Sequence, residues 1–220
     1  MIDTVIFDLD GTLLNTLEDL TDSMNYALDI CGLPHRRIEE VRSFVGNGVE
    51  MLVKRAVEGR LSEEKEATCL STFKAYYKDN MNNKTRVYDG MLDLVRELLR
   101  KGYHLAIVSN KFDLAVKELN VTYFESLFPV AIGASDKVAK KPEPDSVYEA
   151  LSQLGVDGNN AIYVGDSDVD VMTAHNAGLP CVGVTWGFRD RDLLLSMGAE
   201  YIIDKPEELF SVLDRRNTDC

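Results

Sequence analysis

The 220-residue sequence lacks the basic clusters, long apolar runs and paired cysteines of several large protein classes. Its 24 Lys and Arg face 37 Asp and Glu, and the net charge of −13 argues against nucleic acid as a partner, because clustered cations hold phosphate backbones. No stretch approaches the roughly 20 apolar residues of a membrane helix. The amino terminus shows no basic segment followed by an apolar run, so we expect no signal peptide. These absences predict a cytoplasmic protein without a membrane partner.

The cysteines and histidines show no pattern typical of a disulfide framework or of a metal site. The four cysteines are far apart and contain no CxxC pair, which predicts reduced thiols. We expect Cys220, at the terminus, to be exposed. The three histidines are isolated and have no metal-ligand spacing.

The chain changes its pattern of apolar residues twice. After a first apolar strand, residues 16–82 are helical in pattern, with breaks at 32–34 and 46–48 and a cap at Ser62. From Tyr88 onward short apolar runs alternate with helical stretches, which predicts an α/β fold with a parallel sheet covered on both faces. The predicted strands are 104–109, 129–133, 161–165, 181–184 and 201–203, and the predicted helices are 90–101, 112–119, 144–154, 168–177, 190–196 and one from Pro206.

The first strand ends in two carboxylates, Asp8 and Asp10, followed by Gly11 and Thr12. Residues two apart leave the same face of a strand, and a turn at Gly11 would aim both acids into one site. A phosphate monoester is already anionic, so its hydrolysis needs a nucleophile, a proton donor and a cation, and two acids beside a metal would meet that need. The same residues also suit a simple turn.

The segment from Asp8 to Thr12 resembles the signature of the haloacid dehalogenase-like superfamily. The resemblance implies a Rossmann-like core of residues 1–15 and 83–220, with a mobile helical cap domain of residues 16–82 over the strand ends. It also implies that Asp8 is the nucleophile and Asp10 the general acid and base. We expect Gly11 and Thr12 to line the substrate site.

Two further segments resemble other motifs of this superfamily, and they come in the order that the resemblance implies. Ser109 and Asn110 end a strand, where the family uses the hydroxyl and the following backbone N–H to bind a phosphoryl oxygen. A helix cap is the simpler interpretation of the same pair. Lys141, followed by Pro142 and Pro144, resembles the family's lysine that offsets the charge of the nucleophile and the phosphoryl group.

The last motif runs through Gly165 and Asp166 to Asp170, where an apolar strand again ends in an acid before a helix. Acids at a helix start also compensate the helix dipole. Hard oxygen ligands suit Mg²⁺. By resemblance, Asp166 would bind Mg²⁺ together with Asp8 and the Asp10 carbonyl, with Asp170 in the outer shell.

Gly46 and Asn47 in the helical segment, together with the Ser-Asn-Lys run at 109–111, look like phosphoglycolate phosphatases and their relatives. A Gly-Asn-Gly turn that opens a helix could offer backbone N–H groups to an anionic substrate, or it could be a plain helix break.

We therefore predict a Mg²⁺-dependent phosphatase acting on a small phosphate monoester, 2-phosphoglycolate or a related metabolite, through an aspartyl-phosphate. Asp10 argues for phosphoester chemistry, since a dehalogenase needs no acid there. A β-phosphoglucomutase-like phosphosugar mutase, a pyrophosphatase or nucleotidase, and a catalytically silent regulatory protein remain alternatives. The expected assembly is a monomer or homodimer.

Overall fold

The computed structural model describes residues 1–218, so the expectation for Cys220 lies outside the described residues. The chain divides into two compact units. The sheet unit consists of Met1–Leu14 and the chain from Val87 onward, and the helical unit is Asn15–Arg86. Along the chain, the helical unit is therefore an insertion between the two segments of the sheet unit.

Eight strands are found between residues 1 and 218. They are β1 (Thr4–Phe7), β2 (Leu14–Asn15), β3 (Arg86–Val87), β4 (His104–Phe112), β5 (Val130–Ala134), β6 (Ala161–Gly165), β7 (Cys181–Val184) and β8 (Tyr201–Ile203).

Ten α-helices are described over the same residues. They are α1 (Leu17–Ile30), α2 (Ile38–Phe44), α3 (Val49–Val57), α4 (Glu63–Asn80), α5 (Met91–Arg100), α6 (Asp113–Phe124), α7 (Asp145–Leu154), α8 (Asp168–Ala177), α9 (Arg191–Ser196) and α10 (Glu208–Thr218).

Six strands of the sheet unit form one parallel sheet in the order β5-β4-β1-β6-β7-β8. Every residue of β1, β6 and β7 is buried, which is the pattern of a sheet covered on both faces. Alternate residues serve opposite faces. Ile6, Val108 and Tyr163 share a buried cluster with residues of α7 and α8, and Phe7 packs edge-on against Phe128 at a ring-centroid distance of 6.0 Å.

The helical unit is built from α1 to α4 around its own buried side chains. Met24 and Leu28 of α1 and Phe73 and Tyr77 of α4 are each fully buried. Ser62 caps α4, where its Oγ accepts the N–H of Lys65 at 3.5 Å. The four helices therefore have a hydrophobic core of their own.

The predicted α/β fold class is confirmed, and most elements lie where the sequence placed them. Three details differ. β4 continues through the polar residues 109–111 to Phe112, α6 runs on to Phe124, and the two-residue strands β2 and β3 pair with each other at the points where the chain leaves and re-enters the sheet unit. Asn120 interrupts the apolar pattern of α6 but is buried. Its Nδ2 donates to the Phe128 carbonyl at 2.9 Å, which offsets part of the cost of burying this polar side chain.

Across residues 1–218, no helix combines the length and the apolar character that crossing a membrane requires.

Candidate active site

Three neighbouring strands bring the sequence motifs to one edge of the sheet. β1 lies between β4 and β6, with Phe7 paired to Ile107 on one side and to Val164 on the other. Asp8 follows β1 directly, and its N–H donates to the Val164 carbonyl at 2.9 Å. Because the strands are parallel, residues at their carboxyl ends meet where ligands bind in such sheets.

Asp8, Asp166 and Asp170 form a buried acidic cluster at this edge. One carboxylate oxygen of each residue lies within 4.8 Å of the others. Their exposed fractions are 6%, 1% and 0%. Three buried carboxylates this close repel one another unless cations lie between them. The cluster is therefore the candidate metal site.

Lys141 supplies a buried positive charge to this cluster. Its Nζ donates to Asp8 Oδ1 and to Asp170 Oδ1, each at 2.7 Å, and to the Tyr163 hydroxyl at 3.0 Å. Burial alone would lower the pKa of Lys141, but the charges of Asp170 and Asp8 outweigh burial and raise that pKa well above its ordinary value. Lys141 therefore remains an ammonium at neutral pH.

Ser109 and Asn110 lie at the same edge, on β4. Asn110 Nδ2 donates to the Lys141 carbonyl at 3.0 Å, and the Lys141 N–H donates to Asn110 Oδ1 at 2.8 Å. Both ends of the Asn110 amide thus bind the Lys141 backbone and set the position of its ammonium. Ser109 Oγ accepts the Lys111 N–H at 3.3 Å. A contact of either residue with substrate stays a prediction.

Asp170 has donors on both carboxylate oxygens. Oδ1 accepts Lys141 Nζ and, at 3.1 Å, the Tyr163 hydroxyl. Oδ2 accepts the Ser167 N–H at 3.0 Å and the Ser167 hydroxyl at 2.6 Å. Four donors occupy most of what a carboxylate can accept. This arrangement favours an outer-shell role for Asp170 over direct metal ligation.

Asp166 is held from both sides by backbone turns. Its Oδ1 accepts the Thr12 hydroxyl at 3.2 Å, and its Oδ2 accepts the Phe188 N–H at 2.6 Å. Both turns need glycine here: a Cβ on Gly11, which has φ +93°, would lie 2.7 Å from Asp166 Cγ, and one on Gly187 would lie 2.5 Å from Asp166 Oδ2. The loop after β7 thus orients a predicted metal ligand.

The Trp186 side chain links this loop to the first motif. Its Nε1 donates to the Thr12 carbonyl at 3.0 Å. The loop after β7 therefore lies against the turn that follows β1. Asp168, the first residue of α8, accepts Arg189 Nε at 3.2 Å.

The pKa of Asp8 is raised to about 7, chiefly by burial; Lys141 opposes this rise, and the charges of Asp170 and Asp10 add to it. Burial also raises the pKa of Asp166 well above its ordinary value, reinforced by Asp170 and Asp8 and opposed by the Phe188 N–H. The charge of Asp8 thus makes it harder for Asp166 to ionise in the metal-free protein. A divalent cation would keep both ionised.

The donor set fits a hard divalent cation. Asp8 Oδ1 accepts Lys141, whereas no group among residues 1–218 donates a hydrogen bond to Asp8 Oδ2. Each oxygen of Asp166 accepts one hydrogen bond and keeps a second lone pair. Carboxylate oxygens with unused lone pairs suit Mg²⁺.

Asp10 is paired with a lysine to which the sequence motif assigned no role. Lys111 Nζ lies 2.8 Å from Asp10 Oδ1 and 3.1 Å from Asp10 Oδ2, and Lys111 is 4% exposed. The predicted general acid therefore has a buried cation as its neighbour.

Gly46 and Asn47 lie in the helical unit, at the break between α2 and α3. Arg55 spans this break: its Nη1 donates to the Phe44 carbonyl at 2.7 Å, and its Nη2 donates to Asn47 Oδ1 at 2.8 Å. Arg55 thus holds the Gly-Asn-Gly turn in place. The predicted contact of this turn with substrate stays a prediction.

Sequence reasoning missed three contributors to the site. Tyr163 bonds to Asp170 and Lys141, Lys111 pairs with Asp10, and the Phe188 N–H orients Asp166. Two of these contributors had a signal in the sequence. Tyr163 is a polar-ended side chain in an otherwise apolar strand, and Lys111 is a lysine that follows the predicted end of a strand. A backbone N–H has no signal in sequence.

Comparisons with known proteins agree with this geometry. Residues 5–184 match the family profile of haloacid dehalogenase-like hydrolases. The chain is 33% identical over 215 residues to the phosphoglycolate phosphatase of Haemophilus influenzae strain 86-028NP, covering 94% of this chain and 96% of that protein. It is 32% identical over 217 residues to phosphoglycolate phosphatase 1 of Pseudomonas aeruginosa, covering 96% of this chain and 79% of that protein.

A crystal structure from Lactobacillus delbrueckii subsp. bulgaricus superposes with a TM-score of 0.91 at 35% identity, covering 94% of this chain and 96% of that one. Sequence profile, relatives and superposition all extend over most of the chain. The chain belongs to the haloacid dehalogenase-like hydrolase family.

Proposed function

We propose that this enzyme is a Mg²⁺-dependent phosphatase that hydrolyses 2-phosphoglycolate, or a closely related small phosphate monoester, through an aspartyl-phosphate on Asp8. The observation that carries the proposal is the buried cluster at the strand ends, with Lys141 Nζ 2.7 Å from Asp8 and Asp10 two residues further along the chain. The Haemophilus influenzae and Pseudomonas aeruginosa relatives, both named phosphoglycolate phosphatase, support the substrate.

The cation site consists of Asp8, Asp166 and the Asp10 carbonyl, with Asp170 behind them. Bound Mg²⁺ supplies positive charge that offsets the phosphoryl oxygens and the carboxylates around them. Lys141 supplies a further positive charge, 2.7 Å from Asp8 Oδ1. With this charge balance, Asp8 can stay ionised while an anionic substrate approaches it.

In the first step, a carboxylate oxygen of Asp8 forms a bond to phosphorus as the bond from phosphorus to the ester oxygen breaks. Asp10 gives its proton to that ester oxygen, so the alcohol leaves neutral at this position. The hydroxyl of Ser109 binds a phosphoryl oxygen, and Gly11 and Thr12 line the phosphoryl site.

In the second step, Asp10, now a carboxylate, accepts a proton from a water molecule. The water oxygen bonds to phosphorus, the bond from phosphorus to Asp8 breaks, and inorganic phosphate leaves. Asp8 and Asp10 return to their starting forms, so each cycle converts one ester and one water molecule into the alcohol and inorganic phosphate.

We further propose that the helical unit is a cap domain whose Gly46 and Asn47 contact the substrate. A cytoplasmic location and a monomeric or homodimeric state stay predictions.

The proposal is tested by phosphate release from 2-phosphoglycolate, sugar phosphates, nucleotides and pyrophosphate, with Mg²⁺ and with a chelator. We expect Mg²⁺-dependent release that is fastest with 2-phosphoglycolate. Asp8→Asn should lower kcat by about 10³-fold or more while the protein stays folded. Asp168→Asn, which removes a neighbouring acid outside the cluster, serves as the matched control.

Substantial turnover by Asp8→Asn would refute the aspartyl-phosphate mechanism. Release from all the esters at similar rates would reject the narrow substrate and leave a general phosphatase. Absence of release from any compound would reject the phosphatase and favour a mutase or a silent protein.

A further inference from the structure

We propose that Lys111 is a specificity-determining residue that binds the anionic end of the leaving group, the carboxylate in the case of 2-phosphoglycolate. This inference rests on the proposed function and deepens it. It follows from the position of Lys111 relative to Asp10, from the burial of Lys111, and from the contacts of Lys141, the other buried lysine of the site.

The first argument is the position of the Lys111 ammonium. A general acid must approach the leaving ester oxygen to about 3 Å. Lys111 Nζ lies 2.8 Å from Asp10 Oδ1, so it lies on the side of the site that the leaving group enters. In 2-phosphoglycolate one methylene group joins the ester oxygen to the carboxylate, whose oxygens therefore lie only about 3 Å from that ester oxygen by ordinary bond lengths. A group bound to Asp10 is thus within reach of this carboxylate.

The second argument is the charge balance. The two buried lysines of the site have different neighbours: Lys141 contacts Asp8 and Asp170, whereas Lys111 contacts Asp10. Lys141 is therefore committed to the nucleophile and the acidic cluster. A substrate with a second negative charge on its leaving group needs a cation near Asp10, and Lys111 is that cation.

The third argument is that the local backbone places Lys111 at the site. The pairing of β4 with β5 shifts register between Val108 and Phe112, and Lys111 lies within this irregular segment. Its N–H donates to Ser109 Oγ at 3.3 Å, and its side chain is almost fully buried. A buried ammonium is costly unless it is paired, and Asp10 is the partner that allows Lys111 to stay charged at this position.

The test compares pairs of substrates that differ in the carboxylate. 2-Phosphoglycolate is compared with ethyl phosphate, in which a methyl group replaces the carboxylate, and the ratio of the two kcat/KM values measures carboxylate recognition. Lys111→Met should lower this ratio by about 10- to 100-fold, the effect expected for loss of one hydrogen bond between charged groups. The loss should appear mainly in KM for 2-phosphoglycolate.

Two control variants sharpen the comparison. Lys111→Arg keeps the charge and should retain most of the ratio. Lys117→Met removes an exposed lysine of α6, which pairs with Asp113 at 2.6 Å, and should leave the ratio unchanged. If Lys111→Met does not fold, Lys111→Gln is used to measure the same ratio.

An equal loss of kcat/KM for both substrates would overturn the inference, because it would mean that Lys111 only supports Asp10. An unchanged ratio would overturn it as well. Failure of the proposed function would appear in the wild type itself, as hydrolysis of 2-phosphoglycolate no faster than that of ethyl phosphate. In that case 2-phospholactate and isopropyl phosphate form the second pair, and the inference falls if Lys111→Met leaves their ratio unchanged.

Discussion

The raised pKa of Asp8 predicts that the metal-free protein loses stability as the pH rises. Asp8 titrates at about 7 in the folded chain against an ordinary value of 3.8, chiefly because it is buried. Between these two values the folded state binds more protons than the unfolded state, so the free energy of unfolding falls with increasing pH. At about 1.4 kcal/mol per pKa unit, the whole effect is about 4 kcal/mol, of which about 3 kcal/mol falls between pH 5 and pH 8.

The measurement is urea unfolding of wild type and Asp8→Asn at pH 5 and pH 8 in the presence of a chelator. Asparagine has nearly the shape of aspartate without its charge, so Asp8→Asn should gain about 3 kcal/mol relative to wild type between these pH values. Other titrating groups contribute to both proteins and largely cancel in the difference. At pH 8, Mg²⁺ at 100 times its Kd should stabilise the wild type by about 2.7 kcal/mol.

A difference between the two proteins that stays constant from pH 5 to pH 8 would refute this reasoning. It would mean that Lys141 compensates burial fully and that Asp8 is ionised throughout this range. A stabilising effect of Mg²⁺ that is as large in Asp8→Asn as in wild type would contradict the assignment of Asp8 as a ligand.

Two substitutions test the supports of the site and of the helical unit. Gly187→Ala should weaken Mg²⁺ binding by about 10- to 100-fold, because its Cβ would displace Asp166. Calorimetric titration with Mg²⁺ measures the affinity, with Gly158→Ala as the control. Equal Mg²⁺ affinities of Gly187→Ala and wild type would contradict the role of the loop. Asp19→Ala should lower the free energy of unfolding by roughly 2 to 4 kcal/mol, because Asp19 accepts the Thr85 N–H and hydroxyl, each at 2.8 Å, inside the helical unit. Urea unfolding measures this change. A decrease below about 1 kcal/mol would show that water replaces these hydrogen bonds.

The sequence predicted the elements that carry the motifs well. β6, β7 and β8 have the predicted bounds, because short apolar runs between polar or glycine-containing segments have few other interpretations. Asp8 and Asp166 were placed at strand ends for the same reason. Family membership follows from these residues in their order, and the comparisons confirm it.

The sequence failed where a polar residue is buried. Ser109, Asn110 and Lys111 read as the end of a strand, yet β4 continues through them to Phe112. Their polar groups bind one another, Lys141 and Asp10 instead of water. A pattern based on hydrophobicity cannot distinguish such residues from exposed ones, because it carries no information about partners distant in sequence.

The sequence by itself determined the parallel α/β architecture, the order of the motifs and the chemical types of the residues at the strand ends, since these depend on local periodicity and on residue identity. Only the tertiary structure decided which groups pair. Lys141 binds Asp8 and Asp170 from 133 and 29 residues away, and Lys111 binds Asp10 from 101 residues away. Such pairs form because the parallel sheet brings distant strand ends together, and burial then makes each charge depend on its partner.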